Sequence, residues 1–432
     1  MKKFVSWGAV APSKHLEFID FSSRHNNLPN TDLNMLGCGN GRCYGDEAYN
    51  DSGVLLNGLS LNKFIEFDRD NGYLTAECGV TFEEILSLIV PVGWFLPVTP
   101  GTKFITLGGA VANDVHGKNH HRDGSFGCFV ESFELLRSDG RSLVCSKEHN
   151  SEYFYATIGG LGLTGMIFWV KFKLLAISNS AIITTAQKFS NLKEYFLLNS
   201  RLEFSNKYTV AWIDCAASQA KLGRGIYFTG EHAGYLEKTP QQKHSNISFP
   251  IKSPISLMNK YSIKFLNDLY YHRPVTSSPY TTHYDPFFYP LDAINNWNRI
   301  YGKKGFYQYQ AVVPMEHAEA TIAEMLREIS GSKMGSFLAV LKTFGDIISG
   351  GMMSFPRKGV TLALDFANTG VKTQQLFKKL DKITFEAQGA IYPAKDACMS
   401  SQMFVAGYSR LDEFRRYVDP KFSSNLWVRV NK

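Results

Sequence analysis

The sequence predicts an α+β protein of two domains, and two observations support this prediction. The chain has 432 residues, more than one hydrophobic core usually serves, so two domains of about 200 residues each are expected. The pattern of the chain also changes near residue 178. Before that point short apolar strands alternate with glycine turns. After it, strands are followed by helices that lead back to strands, which indicates an antiparallel sheet backed by helices.

The first part of the chain is expected to contain hairpins around one helix. Residues 53–80 predict a strand, a turn and a strand, with Asp70-Asn71-Gly72 as the hairpin turn. Residues 81–93 carry apolar side chains at helical spacing, and Thr81 and the acids of the first turn mark the start of that helix. A second hairpin and a long final strand are expected over 129–146 and 163–177.

The second part of the chain predicts the sheet and the helices that cover it. Residues 270–290 are rich in Pro, Ser, Thr and Tyr and show no periodicity, so they are expected to form an irregular, mobile loop at the mouth of a site. Strands are predicted over 208–217, 307–314, 336–345 and 360–368, and helices over 315–330 and 373–389.

Composition and charge exclude several classes of protein. A hydrophobic content of 44% argues against disorder, and the net charge of +7 contains no long Lys/Arg run of the kind that binds nucleic acid. The seven cysteines are scattered without a CxxC pair, which favours a reducing compartment over a disulfide framework or a zinc site. Pro12 interrupts the short apolar run at the start, and no apolar run approaches the ~20 residues of a membrane span. We therefore expect a cytoplasmic protein, with peripheral contact at the inner membrane left open.

Three glycine clusters in the first part indicate a ligand site. They span 36–46, 100–110 and 159–167. The last one satisfies G-x-G-x-x-G, but a strand rather than a helix is expected to follow it, so a dinucleotide fold of the Rossmann type is disfavoured. Each cluster by itself is compatible with a tight turn. Together they favour backbone amides that cradle an extended, phosphate-bearing ligand.

The segment GGAVANDVHGKNHH, residues 108–121, combines glycines with proton-handling side chains. Three interpretations compete: a metal site, a phosphate cradle, or a backbone that lies flat against a large cofactor. The segment has no acidic or thiol side chain at the spacing from His116, His120 and His121 that a metal site would need, so no metal is predicted.

Several motifs resemble one family when read in order along the chain. LGCGNGRCYGD, PVTPGTKFITLGGAVANDVHGKNHHRDGSFG, GGLGLTG, WNRIYGKKGFYQYQ and YPAKD are similar to the decaprenylphosphoryl-β-D-ribose 2'-oxidases, a family of FAD oxidoreductases in the vanillyl-alcohol oxidase/p-cresol methylhydroxylase superfamily. The resemblance implies the two-domain FAD-binding fold of that superfamily. It also implies a FAD-binding domain over 1–178, a substrate domain with an antiparallel sheet over 179–389, and a return to the FAD-binding domain over 390–432.

The resemblance implies FAD as a noncovalent cofactor. Arg42 stands where superfamily members with a covalent flavin have the linking histidine, and Cys43 replaces the family's serine, which leaves a thiol attachment open. The implied FAD-binding residues are Gly39, Asn40, Gly41, Arg42, Cys43, Tyr44, Gly45, Pro100, Gly101, Thr102, Thr106, Gly108, Gly109, Ala112, Asn113, His116, Gly117, Asn119, Gly160, Gly162, Gly165, Ile167 and Lys395.

The resemblance also implies a reaction, the oxidation of a secondary alcohol on a polyprenyl-phosphate-linked sugar. Removal of a hydride from a carbinol carbon needs a base for the hydroxyl proton and a cation near the reduced flavin. Lys395 and His116 are the implied catalytic residues. The implied substrate contacts are Lys118, Trp212, Gln308, Gln310, Lys342 and Thr361.

Departures from the family lie on the sugar side of the implied pocket. Ala363 replaces a cysteine, Thr361 an asparagine and Phe288 a tyrosine, so the identity of the sugar stays open. The resemblance implies a role in cell-envelope synthesis. It also suggests a short-chain dehydrogenase/reductase partner, but the residues of this chain do not decide whether one exists. A soluble alditol or aldonolactone oxidase, and a flavin-binding subunit without turnover, remain as alternatives.

Overall fold

Two sheets form the first part of the protein in the computed structural model, which describes residues 4–241 and 247–431. The first sheet is parallel and contains β1 (Glu17–Asp20), β2 (Met35–Cys38) and β3 (Val54–Asn57), with β3 in the centre. The second is antiparallel and contains β4 (Phe64–Asp68), β5 (Tyr73–Glu77), β7 (Val130–Leu136), β8 (Ser142–Ser146) and β9 (Met166–Lys173), in the order β4-β5-β9-β7-β8. β6 (Trp94–Phe95) pairs with β10 (Leu175–Ala176).

Short helices connect these strands, and the predicted hairpins and helix are confirmed. The side chain of Thr81 accepts a hydrogen bond from Glu84 N, and the Glu84 carboxylate accepts one from Thr81 N, so a full capping box starts the first helix. The helices are α1 (Phe82–Ile89), α2 (Leu107–Ala112), α3 (His120–Asp123) and α4 (Ser151–Thr157).

The second part is built on a long antiparallel sheet, as predicted. Its order is β15-β11-β13-β12-β18-β19-β17-β20, a run of eight strands within the described residues. The strands are β11 (Ile182–Phe189), β12 (Tyr208–Ile213), β13 (Gly225–His232), β15 (Tyr280–Thr282), β17 (Phe306–Val313), β18 (Ala339–Phe344), β19 (Gly359–Ala367) and β20 (Ala390–Ile391). A separate parallel pair joins β14 (Ile247–Ser248) to β16 (Ile294–Asn295).

The two faces of this sheet have different chemistry because successive strand residues point to opposite sides. Tyr309, Leu341 and Leu364 belong to the apolar core that the helices cover. Gln310 and Lys342 alternate with them and therefore face the other way. The covering helices are α5 (Leu192–Leu202), α8 (Ala318–Gly331) and α9 (Val371–Glu386).

The expectation of an irregular loop over 270–290 is wrong for most of that segment. Its start belongs to α6 (Lys260–His272), and it continues into β15 and α7 (Tyr284–Phe288). Phe288 is buried against Phe95 and Tyr208, with ring centroids 5.3 and 4.9 Å away. Aromatic contacts with distant strands, which leave no local periodicity, order this segment. Residues 273–279 have no helix or strand, and the mobility of the whole segment 270–290 stays a prediction.

The C-terminal segment contacts both parts of the protein, whereas the sequence predicted that residues 390–432 return to the first. β20 extends the long sheet by pairing with β17. Further on, Phe422 bridges to Met35, and Arg429 donates to Asp46 of the first part and Asp396. Its helices are α10 (Ser401–Gly407), α11 (Leu411–Arg415) and α12 (Asn425–Val430). The segment therefore fastens the two parts together. No helix in the described ranges has the length and apolar character needed to span a membrane.

Loss of Arg429 should destabilise the junction. Its guanidinium lies 2.8 Å from Asp46 and 2.9 Å from Asp396, and both carboxylates are largely buried. Arg429→Ala leaves these two charges unpaired, which should lower the free energy of unfolding by about 3 kcal/mol. Urea unfolding measures the change. The control is Arg415→Ala, which breaks an exposed pair with Asp412 and should cost less than about 1 kcal/mol. If both variants lost the same free energy of unfolding, Arg429 would not be the residue that fastens the junction.

Candidate active site

One cavity of about 720 Å³ lies between the two parts of the protein. Its volume falls in the range of about 300–1,000 Å³ typical of ligand pockets. At one end it is lined by the glycine clusters of the first part. At the other end it is lined by the polar face of the long sheet, including Gln310, Lys342 and Thr361. The cavity therefore joins a backbone-rich cradle to a polar chamber.

The first glycine cluster forms one wall of the cradle and is tied to its neighbours by hydrogen bonds. Asn40 Nδ2 donates to Phe104 O in the second cluster at 2.8 Å. Tyr44 N donates to Ala394 O at 3.2 Å, which brings the loop against the segment that carries Lys395. Gly45 permits this approach, because a Cβ there would lie only 1.5 Å from Asp396 O.

The segment 108–121 lines the middle of the cavity. Thr106 caps α2 by accepting from Gly109 N, and Gly108 allows α2 to approach Cys78, whose Cβ would be 2.8 Å from an added Cβ. After the helix, His116 and Lys118 line the cavity, whereas His120 packs on the ring of Phe344 at 4.5 Å. The histidines do not converge, and the described residues contain no group of three or more His, Cys, Asp or Glu that could hold a metal ion.

His116 is the centre of a buried network at the polar end. Its Nδ1 lies 2.8 Å from Lys342 Nζ, which also donates to Gly117 O at 3.0 Å. Its Nε2 lies 3.1 Å from Gln310 Nε2, which donates to Thr361 Oγ1 at 3.2 Å. The network joins residues from both parts of the protein.

The orientation of the Gln310 amide sets the proton positions in this network. With its nitrogen toward His116, the amide donates to Nε2, the ring proton is on Nδ1, and Lys342 accepts it as a neutral amine. With its oxygen toward His116, the ring proton is on Nε2 and Lys342 donates as an ammonium. Burial and the Lys342 charge lower the pKa of His116 well below its ordinary value, so the ring is neutral in both cases.

Three lysines share the cavity, and burial lowers the pKa of each. The pKa of Lys342 falls to about 7, because burial is reinforced by the charges of Lys118 and Lys395. The pKa values of Lys118 and Lys395 fall to about 8. Lys118 Nζ donates to Phe288 O at 3.1 Å, and Lys395 Nζ lies 3.8 Å from the centre of the Tyr44 ring. At neutral pH Lys342 is therefore about half protonated, whereas Lys118 and Lys395 are mostly protonated.

Two carboxylic groups partly balance the Lys395 charge. Burial raises the pKa of Asp365 to about 7, and its Oδ1 accepts from Gln308 Nε2 at 2.5 Å while Oδ2 has no partner. Burial also raises the pKa of Glu47 well above its ordinary range, and Glu47 Oε2 has no partner. Both groups favour the protonated form of Lys395. Sequence reasoning did not single out either one, because they are far from the lysine along the chain.

Most of the residues predicted for the site line this cavity, and four do not. Gly45 and Gly160 lie behind the lining, in tight backbone contacts. Asn119 is a structural residue whose Nδ2 donates to Pro97 O at 2.8 Å. Trp212, predicted as an aromatic wall, packs on Tyr270 at 4.6 Å and donates to Phe337 O at 2.8 Å. It shares a strand face with Val210, which does line the cavity, but lies two residues too far along.

The cavity fits a flavin dinucleotide. Asn113 Oδ1 lines it and lacks a partner, so a polar ligand atom is needed there. At Gly162 the wall is open enough for a ligand to lie against the protein backbone. The φ of Gly162 is +72°, a value that residues with a side chain rarely adopt. Arg42 and Trp7, 4.4 Å apart, close the outer end of the cradle with a cation and an aromatic ring.

Comparison with known proteins supports FAD as the ligand of this cradle. Residues 23–146 match the family described as FAD binding domain. The decaprenylphosphoryl-β-D-ribose oxidase of Mycolicibacterium smegmatis is 34% identical over 413 residues, which cover 92% of this chain and 89% of that protein. An uncharacterised protein of Streptomyces coelicolor is 28% identical over 81% of this chain and all of that protein. The L-gulonolactone oxidase of Scyliorhinus torazame is 26% identical over 33% of this chain and 31% of that protein.

FAD should leave the purified protein intact when the protein is denatured with acid. Arg42 cannot form the covalent link, and burial and hydrogen bonding to Glu47 raise the pKa of Cys43 well above its ordinary value, so the thiol stays protonated and unreactive. Chromatography of the acid supernatant measures the released cofactor. Cys43→Ala serves as the control and should release the same amount. Yellow colour retained in the wild-type pellet and absent from the Cys43→Ala pellet would refute the prediction.

Proposed function

The chain belongs to the decaprenylphosphoryl-β-D-ribose oxidase family of FAD-dependent oxidoreductases, in the vanillyl-alcohol oxidase/p-cresol methylhydroxylase superfamily, and we propose that it oxidises a secondary alcohol on a polyprenyl-phosphate-linked sugar. The proposed product serves cell-envelope polysaccharide or glycolipid synthesis. The observation that carries the proposal is the continuity of one cavity from the FAD cradle to a chamber with three buried lysines, a neutral histidine and a glutamine.

The chamber suits a substrate with both hydroxyl groups and a negative charge. Gln310, Thr361 and His116 offer donors and acceptors to sugar hydroxyls. Lys118 and Lys395 offer cations to a phosphate, and burial lowers the pKa of both to about 8, so an anion would stabilise their charged forms. Phe288, Val210 and Leu338 line the same region and give an apolar side.

Bound FAD supplies the acceptor for the hydride that leaves the carbinol carbon. The residues of the chain have to hold the alcohol, take its proton and stabilise negative charge. We assign proton acceptance to the neutral pair of His116 and Lys342, since the pKa of Lys342 lies near 7 and its Nζ contacts His116 Nδ1. We assign charge stabilisation to Lys395, which Asp365 and Glu47 help to keep protonated.

The alternative of a soluble alditol or aldonolactone oxidase has less support. The similarity to L-gulonolactone oxidase is confined to a third of this chain. A neutral sugar alcohol would also bring no negative charge to the buried lysines of the chamber. The alternative of a flavin-binding subunit without turnover is disfavoured because Lys395 and His116 both line the cavity.

Anaerobic mixing tests the proposal directly. The holoenzyme should lose its flavin absorbance when mixed with a polyprenyl-phosphate pentose and keep it when mixed with a free alditol or an aldonolactone. A panel of polyprenyl-phosphate sugars that differ in configuration then identifies the sugar. If only the neutral compounds bleached the flavin, the result would contradict the proposal and favour the alditol or aldonolactone oxidase.

Replacement of Lys395 should abolish most of the reaction and spare the cofactor. Lys395→Ala removes a buried cation, and such a loss typically lowers the rate about 10²–10⁴-fold. Stopped-flow flavin reduction measures the rate, and the absorbance of the purified protein measures FAD occupancy. Lys378→Ala, which removes an exposed lysine on α9, is the matched control and should react as the wild type does. A Lys395→Ala rate within a few-fold of the wild type would remove this residue from the mechanism.

The rate of flavin reduction should fall as pH rises past about 8, because Lys395 loses its charge above its pKa. Lys395→Arg should move this fall to higher pH, since a guanidinium stays protonated throughout the range. The rate constant at saturating substrate is measured across pH for both proteins. Identical alkaline limbs in the two proteins would show that another group controls the fall.

A further inference from the structure

An apolar strip lies exposed on the surface beside the cavity. It comprises seven side chains on α6 and on the segment before it. They are 46% to 75% exposed, and no part of the mechanism uses them. The members of the exposed strip are Ile247, Ile251, Ile255, Leu257, Tyr261, Phe265 and Leu269.

The helical part of the strip has the geometry of a docking face. Asn259 starts α6 with a capping box, and Ile263 and Asn267 form the buried side of the helix. Tyr261, Phe265 and Leu269 recur every four residues, so they share one outward face. Surface helices usually present polar side chains to water, and three large apolar side chains at this spacing indicate contact with something apolar.

Positive charge surrounds the strip. Lys260 and Lys264 lie one turn apart along the flank of α6, and Lys252 lies in the preceding segment, all of them exposed. Lys303 and Lys304 follow Gly302, where an added Cβ would lie 2.7 Å from Ile255, so this turn abuts the strip. Residues 247–304 contain seven lysines and arginines and three aspartates.

The aspartates of this region are engaged elsewhere. Asp268 pairs with Arg224, and Asp285 pairs with Lys103 at 3.1 Å. Asp292 is turned toward the cavity wall, where it accepts from Lys103 N at 2.9 Å. These three aspartates therefore do not neutralise the exposed lysines around the strip, which can interact with an external anion.

The strip continues into the wall of the cavity. Ile247 belongs to β14, which pairs with β16, and Ser248 and Asn295 of these two strands line the cavity. Arg299 donates to Phe249 O at 2.9 Å and holds the segment against the cavity wall near Trp297. Any surface that binds to the strip would therefore also lie at the edge of the cavity.

We propose that the exposed strip seats the enzyme on the surface of an anionic lipid bilayer. The apolar side chains enter the interface, and Lys252, Lys260 and Lys264 contact lipid phosphates, an arrangement typical of interfacial helices. The inference rests on the proposed function for its purpose, because a polyprenyl tail would reach the cavity directly from the bilayer. The binding itself requires no substrate.

Vesicle flotation tests the proposal with the holoenzyme. The protein should float with vesicles of phosphatidylcholine and phosphatidylglycerol, and less with phosphatidylcholine alone or at high salt. Tyr261→Ser/Phe265→Ser/Leu269→Ser should weaken binding about tenfold or more, since both apolar area and electrostatics contribute. Lys260→Glu/Lys264→Glu should weaken binding to the anionic vesicles and leave little salt dependence.

Matched controls lie on the helices of the opposite face of the long sheet. Leu197→Ser/Phe204→Ser removes two exposed apolar side chains on and just after α5, and Lys378→Glu/Lys382→Glu reverses two lysines four residues apart on α9. Both controls should float as the wild type does. All variants should keep their flavin spectrum, which shows that they are folded.

Three outcomes would overturn the proposal: wild-type protein that does not float, strip variants that float as well as the controls, or a concentration-dependent dimer that the strip variants abolish. The last would assign the strip to a second copy of the chain. Flavin reduction by a short-chain substrate, measured on the same proteins without vesicles, keeps the two proposals separate. Flotation without such reduction would refute the proposed function and leave the membrane surface standing.

Discussion

The site depends on one constraint, the burial of three lysines and a histidine in a single cavity. A buried ammonium is costly unless a partner compensates for it, and here the compensation is incomplete. Asp365 and Glu47 favour the charged form of Lys395, while Lys342 contacts the neutral ring of His116 and Lys118 donates to the carbonyl of Phe288. Burial lowers the pKa of each lysine, and the charges of Lys118 and Lys395 lower that of Lys342 further. The anionic substrate proposed above would supply the missing negative charge.

The two parts of the protein meet where this deficit is created. The first part contributes backbone loops and His116, and the long sheet contributes Gln310 and Lys342 from alternate positions of its strands. Lys395 arrives on the C-terminal segment, which Arg429 fastens by its pairs with Asp46 and Asp396. The proposed catalysis therefore depends on assembly, because a shift of either part would separate His116 from Gln310 and Lys342.

Local patterns in the sequence predicted the hairpins, the capped first helix and the antiparallel sheet with its helices. Long-range geometry was less accessible. The family resemblance implied that Trp212 contacts the substrate, but Trp212 lies two residues along its strand from Val210, which lines the cavity. The segment 280–288 was expected to be irregular, since its order comes from contacts of Phe288 with Phe95 and Tyr208, far away in the chain. Asp365 and Glu47 were missed for the same reason: only folding brings them to Lys395.

The central claim, that the buried lysines await an anion, is tested most directly by proton uptake on ligand binding. The ligand is a short-chain polyprenyl-phosphate sugar whose oxidisable hydroxyl is replaced by hydrogen, so that it binds and does not react. Isothermal titration calorimetry at a pH of about 8, near the pKa of Lys118 and Lys395, in buffers of different ionisation enthalpy measures the protons exchanged. The phosphate should raise the pKa of Lys118, so binding should take up protons, and less in Lys118→Met. If the wild type bound the ligand without taking up protons, and the variant bound it with the same affinity, the result would contradict the account.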